Sequence, residues 1–277
     1  MGIIGAPYDG STSYRPGESS PVIRTVSTTR AKYSRFDTGA RMGPRSIRAA
    51  SARHLFGRGF NPHASVNPYA SWARILDCGD IPITPLDSGA ALTQMTEAYT
   101  ELTSRSTPSR EADDTATNAP KFITLGGDHS VALPYLRALR SLHKQPIALL
   151  HFDAHLDTLR PESYPMAWAS ESSDFNHGTV FWQASREGIL ANGSVHAGIN
   201  TRLSGVTWDD YEEDDGLGFV RIHAEDIDTV GIPAIIAQIR RALLGQPVYL
   251  SIDIDVLDPS CAPGTGALMM RHRFPIV

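Results

Sequence analysis

The sequence predicts an α/β fold built on a largely parallel sheet, and three observations predict it. Short apolar runs recur along the chain, helix-like stretches lie between several of them, and the runs end in acidic or glycine-rich turns. A parallel neighbour needs a long crossover, usually a helix, to bring the chain back to the same end of the sheet.

The predicted strands are residues 2–6, 73–76, 121–125, 147–152, 194–199, 219–222 and 248–254. Helices are predicted at 90–102, 132–142 and 232–244, where apolar side chains recur three and four apart. The polar stretches 104–118 and 209–215 read as solvated loops, the second a run of acids. No internal repeat is present. In such sheets ligands bind where loops leave the carboxyl ends of the strands, so chemistry is expected just after the apolar runs.

With 277 residues, the chain is long enough for one substantial domain, 1–277. Its 25 basic against 30 acidic residues leave a charge of −5 and no basic footprint, which argues against a nucleic-acid or anionic-membrane partner. Cys78 and Cys261 make neither a disulfide framework nor a zinc cluster, which fits a reduced, cytoplasmic setting. No apolar run is long enough to span a bilayer. Residues 2–6 already read as a core strand, so a natural beginning, with any targeting segment such as a mitochondrial one, is expected upstream.

Three strand ends carry the chemistry. Gly126-Gly127-Asp128-His129-Ser130 follows the third run and precedes a helix; taken alone, a capped strand-to-helix turn with an incidental histidine describes it equally well. In His151-Phe152-Asp153-Ala154-His155-Leu156-Asp157 the residues Asp153, His155 and Asp157 alternate with apolar ones, so an extended backbone would point all three the same way. Carboxylate oxygen with imidazole nitrogen suits a divalent ion such as manganese or zinc. His151 shares the alternation but lies deeper, as a hydrogen-bonded core histidine would. In the last run Tyr249, Ser251, Asp253 and Asp255 share a face, and two neighbouring carboxylates on an apolar strand call for a neutralising cation. Asp258 before Pro259 reads as a turn device.

Together His129, Asp153, His155, Asp157, Asp253 and Asp255 are too many donors, and too acidic, for one tetrahedral ion. Two divalent ions sharing bridging carboxylates would use them all, and such a pair lowers the pKa of water enough to drive hydrolysis near neutral pH.

These three segments are similar to the three signatures of the ureohydrolase family, which includes arginase, agmatinase, guanidinobutyrase and formiminoglutamase. The resemblance extends to about Gly266 and is nearest to the agmatinase branch, through Ser11-Thr12-Ser13-Tyr14-Arg15-Pro16-Gly17, Gly39-Ala40-Arg41-Met42-Gly43-Pro44, Phe175-Asn176-His177-Gly178-Thr179 and Gly198-Ile199-Asn200-Thr201-Arg202. It implies a three-layer α/β/α arginase-like fold, two Mn2+ ions, and hydrolysis of a small cationic guanidino substrate, agmatine first, to urea and an amine. It also implies one ion on His129, Asp153, Asp157 and Asp253, and the other on Asp153, His155, Asp253 and Asp255. Asp157 is then a catalytic group that orients the attacking water, His177 a catalytic proton shuttle, and the assembly a trimer or hexamer.

Two segments depart from the family pattern. Residues 18–38 interrupt the entry loop with scattered Ser, Thr and Arg, and are expected to be a translated intron, since 17–19 fit a GTGAGT donor and 38–39 a CAG acceptor. Residues 267–277 replace the family's glutamate that binds the guanidinium, so the natural C-terminal end is expected to be missing and turnover to depend on it. A metal-binding partner without activity, and a deacetylase of related fold, are the rival readings; the six-donor set argues against the second.

Overall fold

The computed structural model describes residues 1–10, 39–53, 55–71, 74–85, 87–106, 119–163, 175–258 and 260–262. The atypical segments 18–38 and 267–277, the Ser11–Gly17 part of the entry loop and residues 107–118 of the expected loop 104–118 lie outside them.

In chain order the elements are β1 (Gly2–Ala6), α1 (Gly43–Ser51), α2 (Pro68–Ser71), β2 (Leu76–Asp80), α3 (Ser88–Ser104), β3 (Phe122–Gly126), α4 (Ala132–His143), β4 (Ala148–Phe152), α5 (Val180–Arg186), β5 (Val195–Ile199), α6 (Asp209–Gly216), β6 (Val220–His223), α7 (Asp226–Thr229), α8 (Ile232–Leu243) and β7 (Val248–Ile252), joined by short 3-10 turns. Among the described residues every pairing between these strands is parallel. The strands hydrogen-bond in the orders β2-β1-β3 and β6-β5-β4-β7.

Helices cover both faces, which makes the fold layered. Leu149 of β4 packs with Leu133 and Leu136 of α4 and Phe181 of α5, whereas Leu150 and Phe152 pack with Ile235 and Ile239 of α8. β7 continues that second face: Val248, Leu250 and Ile252 align with Ala148, Leu150 and Phe152. The three β7 residues stand 46%, 53% and 65% exposed. The two sheets meet through side chains. Tyr249 of β7 packs edge-on against Tyr135 of α4, which stacks on Tyr99 of α3.

Three expectations are corrected. The second strand lies later than the run 73–76: β2 is Leu76–Asp80, an exposed edge whose Asp77 and Asp80 are held by Arg48 of α1 at 2.8 and 2.5 Å. An edge strand needs no apolar run, which is why the pattern points a few residues too early. The acidic stretch 209–215 is not a solvated loop but helix α6, with Asp210 and Asp214 buried. Acids in a first helical turn are favourable because they face the positive end of the helix dipole. Finally, the strand expected at 248–254 stops at Ile252, and 254–256 form a 3-10 turn capped by Asp253.

Candidate metal centre

The carboxyl ends of β3, β4 and β7 converge. After β3 the chain turns through Gly127, where an added Cβ would lie 1.6 Å from the backbone oxygen of Tyr8, so only glycine fits. The Asp128 carboxylate accepts from the backbone N–H of Ser130 at 3.0 Å and from its hydroxyl. The motif is therefore a capped turn, and that turn also aims His129. The Ser251 hydroxyl and His129 Nε2 are 2.7 Å apart, which leaves Nδ1 facing inward.

Nδ1 of His129 lies 3.1 Å from Asp153 Oδ2, 3.0 Å from Asp157 Oδ2 and 3.4 Å from Asp253 Oδ2. It is nonetheless a buried nitrogen with no hydrogen-bond partner. A second group adjoins it: His155 Nδ1 lies 2.9 Å from Asp255 Oδ2 and 3.3 Å from Asp153 Oδ1. Asp153 belongs to both groups. Ligand atoms about 2.1 Å from one ion at right angles lie about 3 Å apart, which matches these spacings. The donors and the orphaned nitrogen fit a pair of divalent ions that share Asp153.

The alternation in 153–157 achieves this differently from the sequence expectation. On a straight strand the Cα atoms of 153 and 157 would lie about 13 Å apart, which would spread the three donors rather than gather them. The strand ends at Phe152, and Asp157 takes the left-handed conformation, φ 54°. The bend, not a straight strand, gathers the donors.

The electrostatics describe a site short of positive charge. Burial, with repulsion from Asp153 and Asp253, pushes the Asp255 carboxyl up to about 8. Burial opposes charge on His155, but Asp153 and Asp255 raise it to about 11. His129 is likewise carried well above its usual range against burial by Asp153, Asp157 and Asp253. Burial would raise Asp153, yet the adjacent His151, with its contact at 2.8 Å, holds it well below the usual carboxylate range. Protons occupy places that cations would fill better.

His151 is the hydrogen-bonded core histidine expected from its depth. Nε2 sits 2.8 Å from Asp153 Oδ2 and Nδ1 2.8 Å from His196 Nδ1, and burial lowers its pKa. His177 begins a 3-10 turn capped by Asn176. That turn is tied to the metal loop: Leu159 N–H donates to Gly178 O at 3.1 Å, and Phe181 N–H to Asp157 O at 2.9 Å. Asp258 accepts from Ser260 N–H at 2.8 Å, as a turn residue does. Sequence reasoning places Ser251 on the right face without its role, and it misses His196 and Asp214. A histidine at the centre of an apolar strand is the available signal for His196.

Residues 22–270 match the model of the arginase family. The chain belongs to the arginase family. A protein of Schizosaccharomyces pombe with a provisional agmatinase name is 43% identical over 272 residues, 96% of this chain and 62% of that relative. The agmatinase of Chromobacterium violaceum is 35% identical over 83% of this chain and 62% of its own length. Proclavaminate amidino hydrolase from Streptomyces clavuligerus superposes with a TM-score of 0.72 at 30% identity, covering 96% of this chain and 72% of the other. The chain thus spans 62% of the length of these first two relatives. Among the described residues no helix is long and apolar enough to cross a membrane.

Proposed function

We propose that this arginase-family chain hydrolyses a guanidino compound, agmatine first, to putrescine and urea, with manganese in the centre. The observation that carries the reading is the pair of donor groups sharing Asp153, with the orphaned Nδ1 of His129 in the first of them. Agmatinases among the relatives support agmatine as substrate. His129, Asp153, Asp157 and Asp253 would hold one ion, and Asp153, His155, Asp253 and Asp255 the other. When bound, two such ions lower the pKa of water and supply hydroxide near neutral pH.

The chain's own groups do the rest. The carboxylate cluster attracts a cationic guanidinium. Asp157, turned inward by its left-handed backbone, accepts a hydrogen bond from the attacking water and orients it. His177, on the turn tied to that loop, passes a proton to the departing amine nitrogen. Water adds to the guanidinium carbon, the bond to the substituted nitrogen breaks, and urea leaves with an alkylammonium.

The test is urea release with Mn2+ on agmatine, arginine and 4-guanidinobutyrate. It is run on this chain and on the chain extended by the C-terminal part of a matched relative. Urea from agmatine at the highest kcat/KM supports the reading. No urea from the extended chain on any of the three overturns it.

A further inference from the structure

We infer that Asp214 of α6 is a remote positioning residue for the candidate metal ligands Asp153 and Asp157, acting on the first through two packed imidazole rings and on the second through the Thr158 hydroxyl. The inference rests on the metal-centre reading above and extends it to an element with no ligand of its own.

Asp214 is 0% exposed, in a helix whose other acids mostly face solvent. Two paths leave it toward the centre. In the first, Asp214 Oδ1 lies 3.0 Å from His196 Nε2, His196 Nδ1 lies 2.8 Å from His151 Nδ1, and His151 Nε2 lies 2.8 Å from Asp153 Oδ2. Strand register builds this path, because His151 of β4 pairs with His196 of β5. Both rings are clamped: His196 stacks on Phe219 at 4.2 Å and His151 meets Phe181 edge-on at 4.7 Å. In the second, the Thr158 hydroxyl donates to Asp214 Oδ1 at 2.9 Å. Thr158 directly follows Asp157, whose positive φ a non-glycine residue keeps only when its surroundings enforce it.

A lone buried carboxylate is costly, so its presence needs a reason. Arg221 of β6 neutralises it at 2.5 Å, and the hydrogen bonds from His196, Arg221 and Thr158 hold it ionised against burial. A helix needing only to pack would have met the same space with an apolar side chain. The carboxylate instead gathers the far ends of both paths, fixing the first ligand of the loop 153–157 through two rigid rings and the last through its neighbour. Groups that orient metal ligands in this way typically change metal affinity by about 10–100-fold when removed.

The experiment titrates the full chain with Mn2+, following free Mn2+ by electron paramagnetic resonance, and records the melting temperature of each metal-free protein. Co2+ absorption spectra serve as a coordination signature. Asp214→Asn is expected to weaken at least one Mn2+ site by about tenfold and to shift the Co2+ bands, and Thr158→Val to act in the same direction. Glu212→Gln removes an exposed charge from the same helix, away from Arg221, and should leave affinity within about twofold. A folded Asp214→Asn chain with wild-type affinities and Co2+ spectrum, whatever its melting temperature, overturns the inference. If that variant does not fold, Thr158→Val and His196→Gln decide, and wild-type affinities in both overturn it. A wild-type chain that takes up no metal overturns the metal-centre reading, and this inference with it.

Discussion

Replacing Ser251 by alanine isolates what aims His129. The hydroxyl is 2.7 Å from Nε2, and the His129 side chain is only 7% exposed, so water cannot freely take its place. Alanine leaves a buried ring nitrogen unpaired, a cost of about 1–3 kcal/mol. For a chain of this size each kcal/mol lowers the melting temperature by roughly 2–4 °C, so the metal-free variant should melt about 2–12 °C lower. The ring is then free to turn its Nδ1 away from Asp153, Asp157 and Asp253, and Mn2+ affinity should drop about tenfold, or roughly 1.4 kcal/mol. Thermal unfolding followed by fluorescence and a Mn2+ titration measure the two effects separately. Wild-type melting together with wild-type affinity would show that the Ser251 contact does not hold the ring, and the account of His129 would be wrong.

Mn2+ uptake should release protons and tighten between about pH 6 and about pH 8, because His155, at about 11, and Asp255, at about 8, hold protons that the ions must displace. The metal-free fold should move the opposite way. The folded state keeps protons on His155 above its ordinary value of about 6.5 and on Asp255 above about 3.9, so stability falls as pH rises through this window, to be read from urea midpoints. Gly127→Ala drives a methyl into the Tyr8 carbonyl and should cost at least about 1–3 kcal/mol, with Mn2+ binding lost as His129 shifts; a stable variant with full binding would refute the close approach. Leu250→Thr on the open face of β7 should change stability by less than about 0.5 kcal/mol while lowering binding of the dye ANS; unchanged dye binding would mean that face is covered in solution.

Elements with clear periodicity are legible in the amino-acid pattern alone. Apolar runs mark β1, β4 and β5 because buried parallel strands are apolar on both faces, and β7 keeps the same pattern although one of its faces is open. β2 escapes because an edge strand carries solvated acids. The six donors are legible as a set, since carboxylates at the end of an apolar run demand compensation, yet their convergence is not. It depends on the left-handed turn at Asp157 and the 3-10 turn at Asp253; aspartate favours both conformations, but the regular alternation of apolar residues masks them. Asp214 is hidden for a different reason. Its partners His196, Thr158 and Arg221 are scattered along the chain, so its burial exists only in the tertiary structure.

The placement of β7 also sets an order of assembly. Asp255 Oδ1 receives the N–H of Ala154, a contact spanning 101 residues, and β7 adds to the sheet only beside an existing β4. During synthesis the segment around Asp153 emerges long before its partner acids, with its carboxylates and histidines unmatched. Loop closure over such a distance is among the slowest steps in folding. An ion shared by donors after β4 and β7 would need both strands in place, and would act as a latch that rewards that long-range pairing.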